Sequence, residues 1–182
     1  MDNSRPGIRP RPSAWRRIDA VGRRCFPLAT TVALLLAAAA PLGLPGQAQL
    51  QVAVALACVF FWSVFRPTSM PPPVVFAVGL LADLLDFAPV GVGLLGLLIV
   101  HGLALRWRRF LLRQTFMVVW VAFVVLATGA AVLQWALTSL LAFHLMPPGP
   151  MVFGMTLAVA VYPLLAVPLT CADRTLAEPE AA

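Results

Sequence analysis

Six apolar runs separated by short polar breaks constrain this chain more than any other feature. They extend from Phe26 to Leu42, Leu50 to Phe65, Val74 to Phe87, Gly91 to Leu105, Thr115 to Phe143 and Val152 to Leu169. A hydrocarbon core about 30 Å thick takes roughly 20 apolar residues per helix. Of the 182 residues, 61% are hydrophobic and only 11% charged, against about a quarter charged in a soluble domain. The chain therefore reads as an all-α integral membrane protein with one membrane domain, residues 26–170. A basic arm, residues 1–25, precedes it and a short polar tail, residues 171–182, follows. Pro6, Pro10 and Pro12 argue against a helix at the start of the arm, because proline breaks helix hydrogen bonding. The arm is expected to be a disordered cytoplasmic segment. It is long for the leading part of a signal peptide, and no cleavage site stands out after Ala37–Ala40. The first run is thus expected to be a retained helix.

All thirteen basic residues are arginine, and their placement sets the topology. Seven precede residue 25; the others are Arg66, Arg106, Arg108, Arg109, Arg113 and Arg174. Residues 74–105 read either as one kinked span or as a hairpin of two short helices turned at Pro89 and Gly91. The hairpin gives six spans, puts every arginine on one side and leaves both termini in the cytoplasm. A single span would move Arg106 to Arg113 and Arg174 outside. The positive-inside rule favours the hairpin. The net charge of +6 is then a topology signal, and no nucleic-acid partner is implied.

Span lengths are uneven. The third and fourth runs cover only about 22 Å each by helical rise, while the fifth approaches about 43 Å. The fifth must tilt, project beyond the core or break, with Gly129 as the candidate break. Trp62 is expected at the membrane interface as an anchor. Cys25, Cys58 and Cys171 show no metal or disulfide spacing and read as small apolar fillers. No metal site or cofactor is expected.

Within this frame a few residues stand out. Arg66 is held before Pro67 and the extended Pro71-Pro72-Pro73 connector. It can cap the second helix, bind a lipid phosphate or meet a partner's acid, and the sequence leaves these open. Asp83 lies inside an apolar run, where a central Asp costs about 2.5–3.5 kcal/mol on insertion scales. Such residues usually face the bundle interior and mark function. Gly79 and Asp83, spaced i and i+4, share a helix face. Asp83 is expected to accept hydrogen bonds from backbone N–H groups near Gly91 and Gly93 and so to clasp the hairpin, in preference to binding a substrate. His101 lies deeper, offset from Asp83 by roughly 9 Å along the membrane normal, so a proton relay between them is not expected. His144 is expected at the outer interface near Met146. Asp83, Asp86, His101 and His144 do not converge, and no nucleotide-binding glycine loop is present. The chain does not read as an enzyme.

The stretch from Phe65 to Gly91 resembles the MreD family of bacterial rod shape-determining proteins. The likeness rests on Phe65-Arg66-Pro67, the proline collar, Phe76-Ala77-Val78-Gly79-Leu80, Asp83-Leu84-Leu85, Pro89-Val90-Gly91 and a basic loop at Arg106, Arg108, Arg109 and Arg113. It is most specific over residues 62–113. The family's Pro-Leu-Gly is Pro-Val-Gly here, and the N-terminal arm lies outside the pattern. The resemblance implies a non-enzymatic scaffold subunit of the cell-wall elongation complex, supporting rod shape and lateral peptidoglycan synthesis. Its place would be the bacterial cytoplasmic (inner) membrane, as a multi-pass protein. Its implied partners are MreC, bound directly, then MreB, RodA and RodA's partner transpeptidase, with membrane lipids around them. The implied architecture is a compact six-helix bundle resembling the substrate-binding subunits of energy-coupling-factor transporters. The alternative function is such a subunit of a small-molecule, vitamin-like transporter. Gly79, Gly91, Gly93, Gly96 and Gly102 make the hairpin the candidate for close packing. Arg66 and the basic loop are candidates for contact with MreB or anionic lipid.

Overall fold

The computed structural model describes residues 14–40, 43, 45–86 and 89–177, with side chains between residues 22 and 173. The described residues form six helices: α1 (Ala14–Ala39), α2 (Gln47–Phe65), α3 (Pro72–Leu85), α4 (Val92–Leu111), α5 (Phe116–Leu141) and α6 (Gly149–Ala177). A 3₁₀ turn, Pro67–Ser69, joins α2 to α3, and the described residues contain no strand.

Helix α2 is the axis of the bundle. Beyond the glutamines of its first turns and Ser63 its residues are apolar all round, and every residue from Ala53 to Val64 is buried. A helix without a polar face must be enclosed by other helices or by lipid. Here α1, α4 and α6 pack directly on α2, α3 packs on α4, and α5 closes between α4 and α6. Alanines 53, 55 and 57 and Cys58 let these neighbours approach, and packing of this kind holds helices together where water supplies no drive. An aromatic cluster fills the centre. Phe60 of α2, Phe123 of α5 and Tyr162 of α6 meet with ring centroids 4.3–5.7 Å apart.

The outer helices have the opposite character. About 72% of the apolar window of α2 is buried, but only 28% of that of α5 and 22% of that of α6. Met117, Val125, Leu164 and Val167 are each at least 60% exposed. In water a surface of this kind would drive association; in lipid it is the ordinary exterior. Among the described residues three helices, Gln47–Phe65, Phe116–Leu141 and Gly149–Asp173, are long and apolar enough to cross a membrane.

Several elements differ from the sequence expectations. Residues 14–25, expected to be disordered, are helical and continue into the first apolar run as α1, which passes through Pro27; the rest of the expected disordered arm lies outside the described residues. The hydroxyls of Thr30 and Thr31 bond back to the Pro27 carbonyl and tie the chain there. Pro72 and Pro73 do not extend the connector but open α3, since the first helical turn needs no N–H donor. Arg106, Arg108 and Arg109 are not in a loop: α4 runs on through them to Leu111, and only Arg113 follows it. Arginine is a good helix former, and cations suit a helix C-terminus. Gly129 does not break α5, and Pro163 and Pro168 lie inside α6, as prolines do in membrane helices whose neighbours satisfy the freed carbonyls. Trp62 is no interfacial anchor, being fully buried between Phe26 and Phe61. Cys58 is a core filler, while Cys25 and Cys171 are exposed.

Candidate functional site

The bundle has two chemically distinct ends. At one, the C-termini of α2, α4 and α6 meet. Arg66 pairs with the Asp173 carboxylate and bonds its backbone carbonyl at 3.2 Å. Arg108 donates to the Val64 carbonyl at 2.7 Å and satisfies an acceptor that the end of α2 leaves open. Arg106, Arg109 and Arg113 remain exposed around the exposed Trp107. The conformation at Pro67 fixes this arrangement, because the Arg66 N–H still closes on Trp62 while the next residue starts the 3₁₀ turn.

At the other end α3 and α4 form a hairpin closed by Asp83. Its Oδ2 accepts from Gly91 N–H at 2.6 Å and from Leu94 N–H at 3.2 Å. Asp83 is only 5% exposed. A carboxylate at a helix N-terminus meets both the open N–H groups and the positive end of the helix dipole, and this is what balances its burial. Gly91, at φ 101°, turns the chain into α4 after Pro89. Two glycines permit the closeness. A Cβ on Gly93 would lie 2.3 Å from Asp83 Oδ1, and one on Gly79 would lie 3.0 Å from the Leu94 Cα. Gly102, in contrast, faces open space.

His101 has a different partner. Ser63 Oγ donates to the Val59 carbonyl and lies 2.7 Å from His101 Nδ1. This hydrogen bond ties α4, through His101, to the end of α2. His101 Nε2 and the Trp62 Nε1–H are buried without a partner. His101, midway along α4, and Asp83, next to the turn, therefore have separate partners. His144 is exposed, beside the Ala142 carbonyl. No group of three potential metal ligands occurs among the described residues.

Three participants were absent from the sequence reading: Asp173, Ser63 and Gln51. Ser63 and Asp173 pair with residues far away in the chain, so spacing carries no trace of them. The turn of Arg108 toward α2 had a visible signal. His101, Ala104 and Arg108 follow the i, i+3 and i+7 pattern of one helix face, and the first two are buried against the bundle.

A cavity of about 200 Å³ opens at the Asp83 end, between the start of α2, the end of α5 and the start of α6. A void of about 20 Å³ adjoins it and shares Val52, Leu56, Asp86 and Gln134 with it. Gln51 and Asp83 wall the void. Compared with family models, curated proteins and solved structures, the chain matches none.

Proposed function

We propose that the chain is a non-enzymatic membrane scaffold of the MreD type, a subunit of the machinery that builds lateral cell wall in rod-shaped bacteria. The observation that carries this reading is the course of residues 65–113. The motif that resembles MreD runs from the end of α2 through the turn and the α3–α4 hairpin, and its conspicuous residues make contacts that hold this unit together. Asp83 is spent on the hairpin backbone and Arg66 on α6. Residues used in this way serve shape, and shape is what a scaffold offers a partner. The partners we assign are MreC directly, then MreB, RodA and its transpeptidase. The exposed Arg106, Arg109 and Arg113 are the surface for MreB or anionic lipid, where each cation is worth about 1 kcal/mol. Depletion of the protein from its own host is expected to widen and round the cells within a few generations. Unchanged cell width after depletion contradicts the proposal.

The membrane arrangement belongs to the same proposal: six spans, both termini in the cytoplasm, in the bacterial inner membrane. It is supported by the meeting of the C-terminal ends of α2, α4 and α6, with their arginines, at one end of the bundle. Helix α3, at 14 residues, covers about 21 Å and requires a locally thin bilayer or burial of its end. The test uses single cysteines at Met146 and Arg109 with Cys25 and Cys171 changed to serine. A membrane-impermeant maleimide is expected to label position 146 in intact spheroplasts and position 109 only after permeabilisation. The reverse pattern contradicts the topology.

A second reading, the substrate-binding subunit of a vitamin-like transporter, draws on the cavity at the Asp83 end. Such a subunit works with a paired ATPase and a coupling membrane protein, and co-purification distinguishes the two readings.

A further inference from the structure

The cavity at the Asp83 end has three properties that together define a ligand. The first is size. An engineered cavity of about 150 Å³ holds benzene, so one of about 200 Å³ takes a body of roughly eight heavy atoms by the same scale. The second is the wall. Val52, Leu56, Met151, Met155 and Ala131 supply apolar surface, and methionine adapts to the shape placed against it. The third is the polar lining. Among the described residues that line the cavity, Asp86 is the one that is formally charged, and none is Lys, Arg or His. Asp83 adds a second carboxylate in the adjoining void.

The hydrogen-bonding groups sort the chemistry further. Thr138 and Trp135 are committed, the hydroxyl to the Gln134 carbonyl at 2.8 Å and the indole N–H to the Met146 carbonyl at 3.1 Å. Gln51 is not committed through its amide nitrogen. It is 4% exposed, and its Nε2 has no hydrogen-bond partner. A buried unpartnered amide N–H costs about 1–3 kcal/mol, a penalty that a bound molecule or water relieves. Gln51 lines the void that shares residues with the cavity, and so do Asp83 and Gln134. The polar lining thus holds amide groups and two carboxylates, and its negative charge disfavours an anion.

We propose that this cavity binds a small organic molecule with an apolar, ring-sized body and a neutral or cationic hydrogen-bonding end directed at Gln51, Gln134 and Asp86. The site rests on none of the partner assignments above, and its occupancy alone makes the protein neither a scaffold nor a transporter.

The test is isothermal titration of the full chain in detergent with three probes of one shape: 2-phenylethylamine, 2-phenylethanol and phenylacetate. The Ala131→Phe variant, whose ring fills the cavity, serves as the blank for partition into micelles. The amine and the alcohol are expected to bind the native protein, the carboxylate at least ten-fold more weakly, and none of them the filled variant. Equal binding of the three probes, persistence of binding in Ala131→Phe, or no binding of any probe overturns the proposal. Asp86→Asn provides a milder variant should the filled one fail to fold. It is expected to weaken the discrimination against phenylacetate at least three-fold; an unchanged discrimination likewise overturns the proposal.

Discussion

Replacing Gly93 by alanine is expected to destabilise the protein by about 2 kcal/mol, and the same replacement is expected to be neutral or stabilising once Asp83 is alanine. The reversal follows from one contact. Alanine is favoured over glycine inside a helix by about 0.8–1 kcal/mol, so Gly93→Ala should help if nothing stood beside it. The Asp83 carboxylate stands there, with Oδ1 2.3 Å from where the new methyl must lie. The carboxylate has to move, and its bonds to Gly91 and Leu94 are strained or lost. Hydrogen bonds to a charged group contribute about 1.5–3 kcal/mol each, and leaving an acid in the bundle without partners is worse than removing it. Asp83→Ala alone is expected to cost about 2 kcal/mol, from the open N–H groups of α4. In the double variant the clash is gone, and the two effects fail to add, as contacting residues do. Unfolding of purified protein in mixed micelles with increasing SDS measures all four corners of the cycle. Gly93→Ala with the same sign in both backgrounds contradicts the clasp.

Truncating Phe123 to alanine is expected to cost about 3 kcal/mol, with Phe123→Leu nearer 1 kcal/mol. Phe123 is fully buried, stacks on Tyr162 with ring centroids 4.3 Å apart and reaches Phe60 at 5.3 Å. It is where α2, α5 and α6 meet. Inside a membrane the loss is of packing and not of hydrophobic transfer, because lipid is as apolar as the core. The void left behind therefore dominates, and its neighbours, held on three helices, relax little. The same SDS titration reads the effect. A change below about 0.5 kcal/mol in Phe123→Ala, the size of an ordinary surface substitution, would mean that the cluster does not hold the helices.

What the sequence made legible were features with a strong penalty behind them. An Asp in an apolar run must find partners, and the N–H groups of the following helix are the nearest. The depth separation of Asp83 and His101 followed from helical rise, which does not depend on side-chain detail. Features set by choice among equal options were not legible. Arg66 had several acceptable partners, and Asp173, 107 positions away in the chain, carries no local mark. Trp62 suits an interface or a core equally by composition, and only the packing of α1 against α2 buries it. The basic segment after Leu105 looked like a loop because charge marks a membrane edge. Charge does not end a helix, and Arg106 to Arg109 continue α4. The cavity had only faint signals, in Asp86 and Gln134, since its volume arises where three helix ends diverge.

The most direct test of the scaffold reading is a gentle-detergent pull-down of the tagged full-length protein from its native membrane, with mass spectrometry of what accompanies it. The expected result is recovery of MreC together with RodA or MreB. Recovery of a paired ATPase and a coupling membrane subunit without MreC would contradict the scaffold and assign the protein to small-molecule transport.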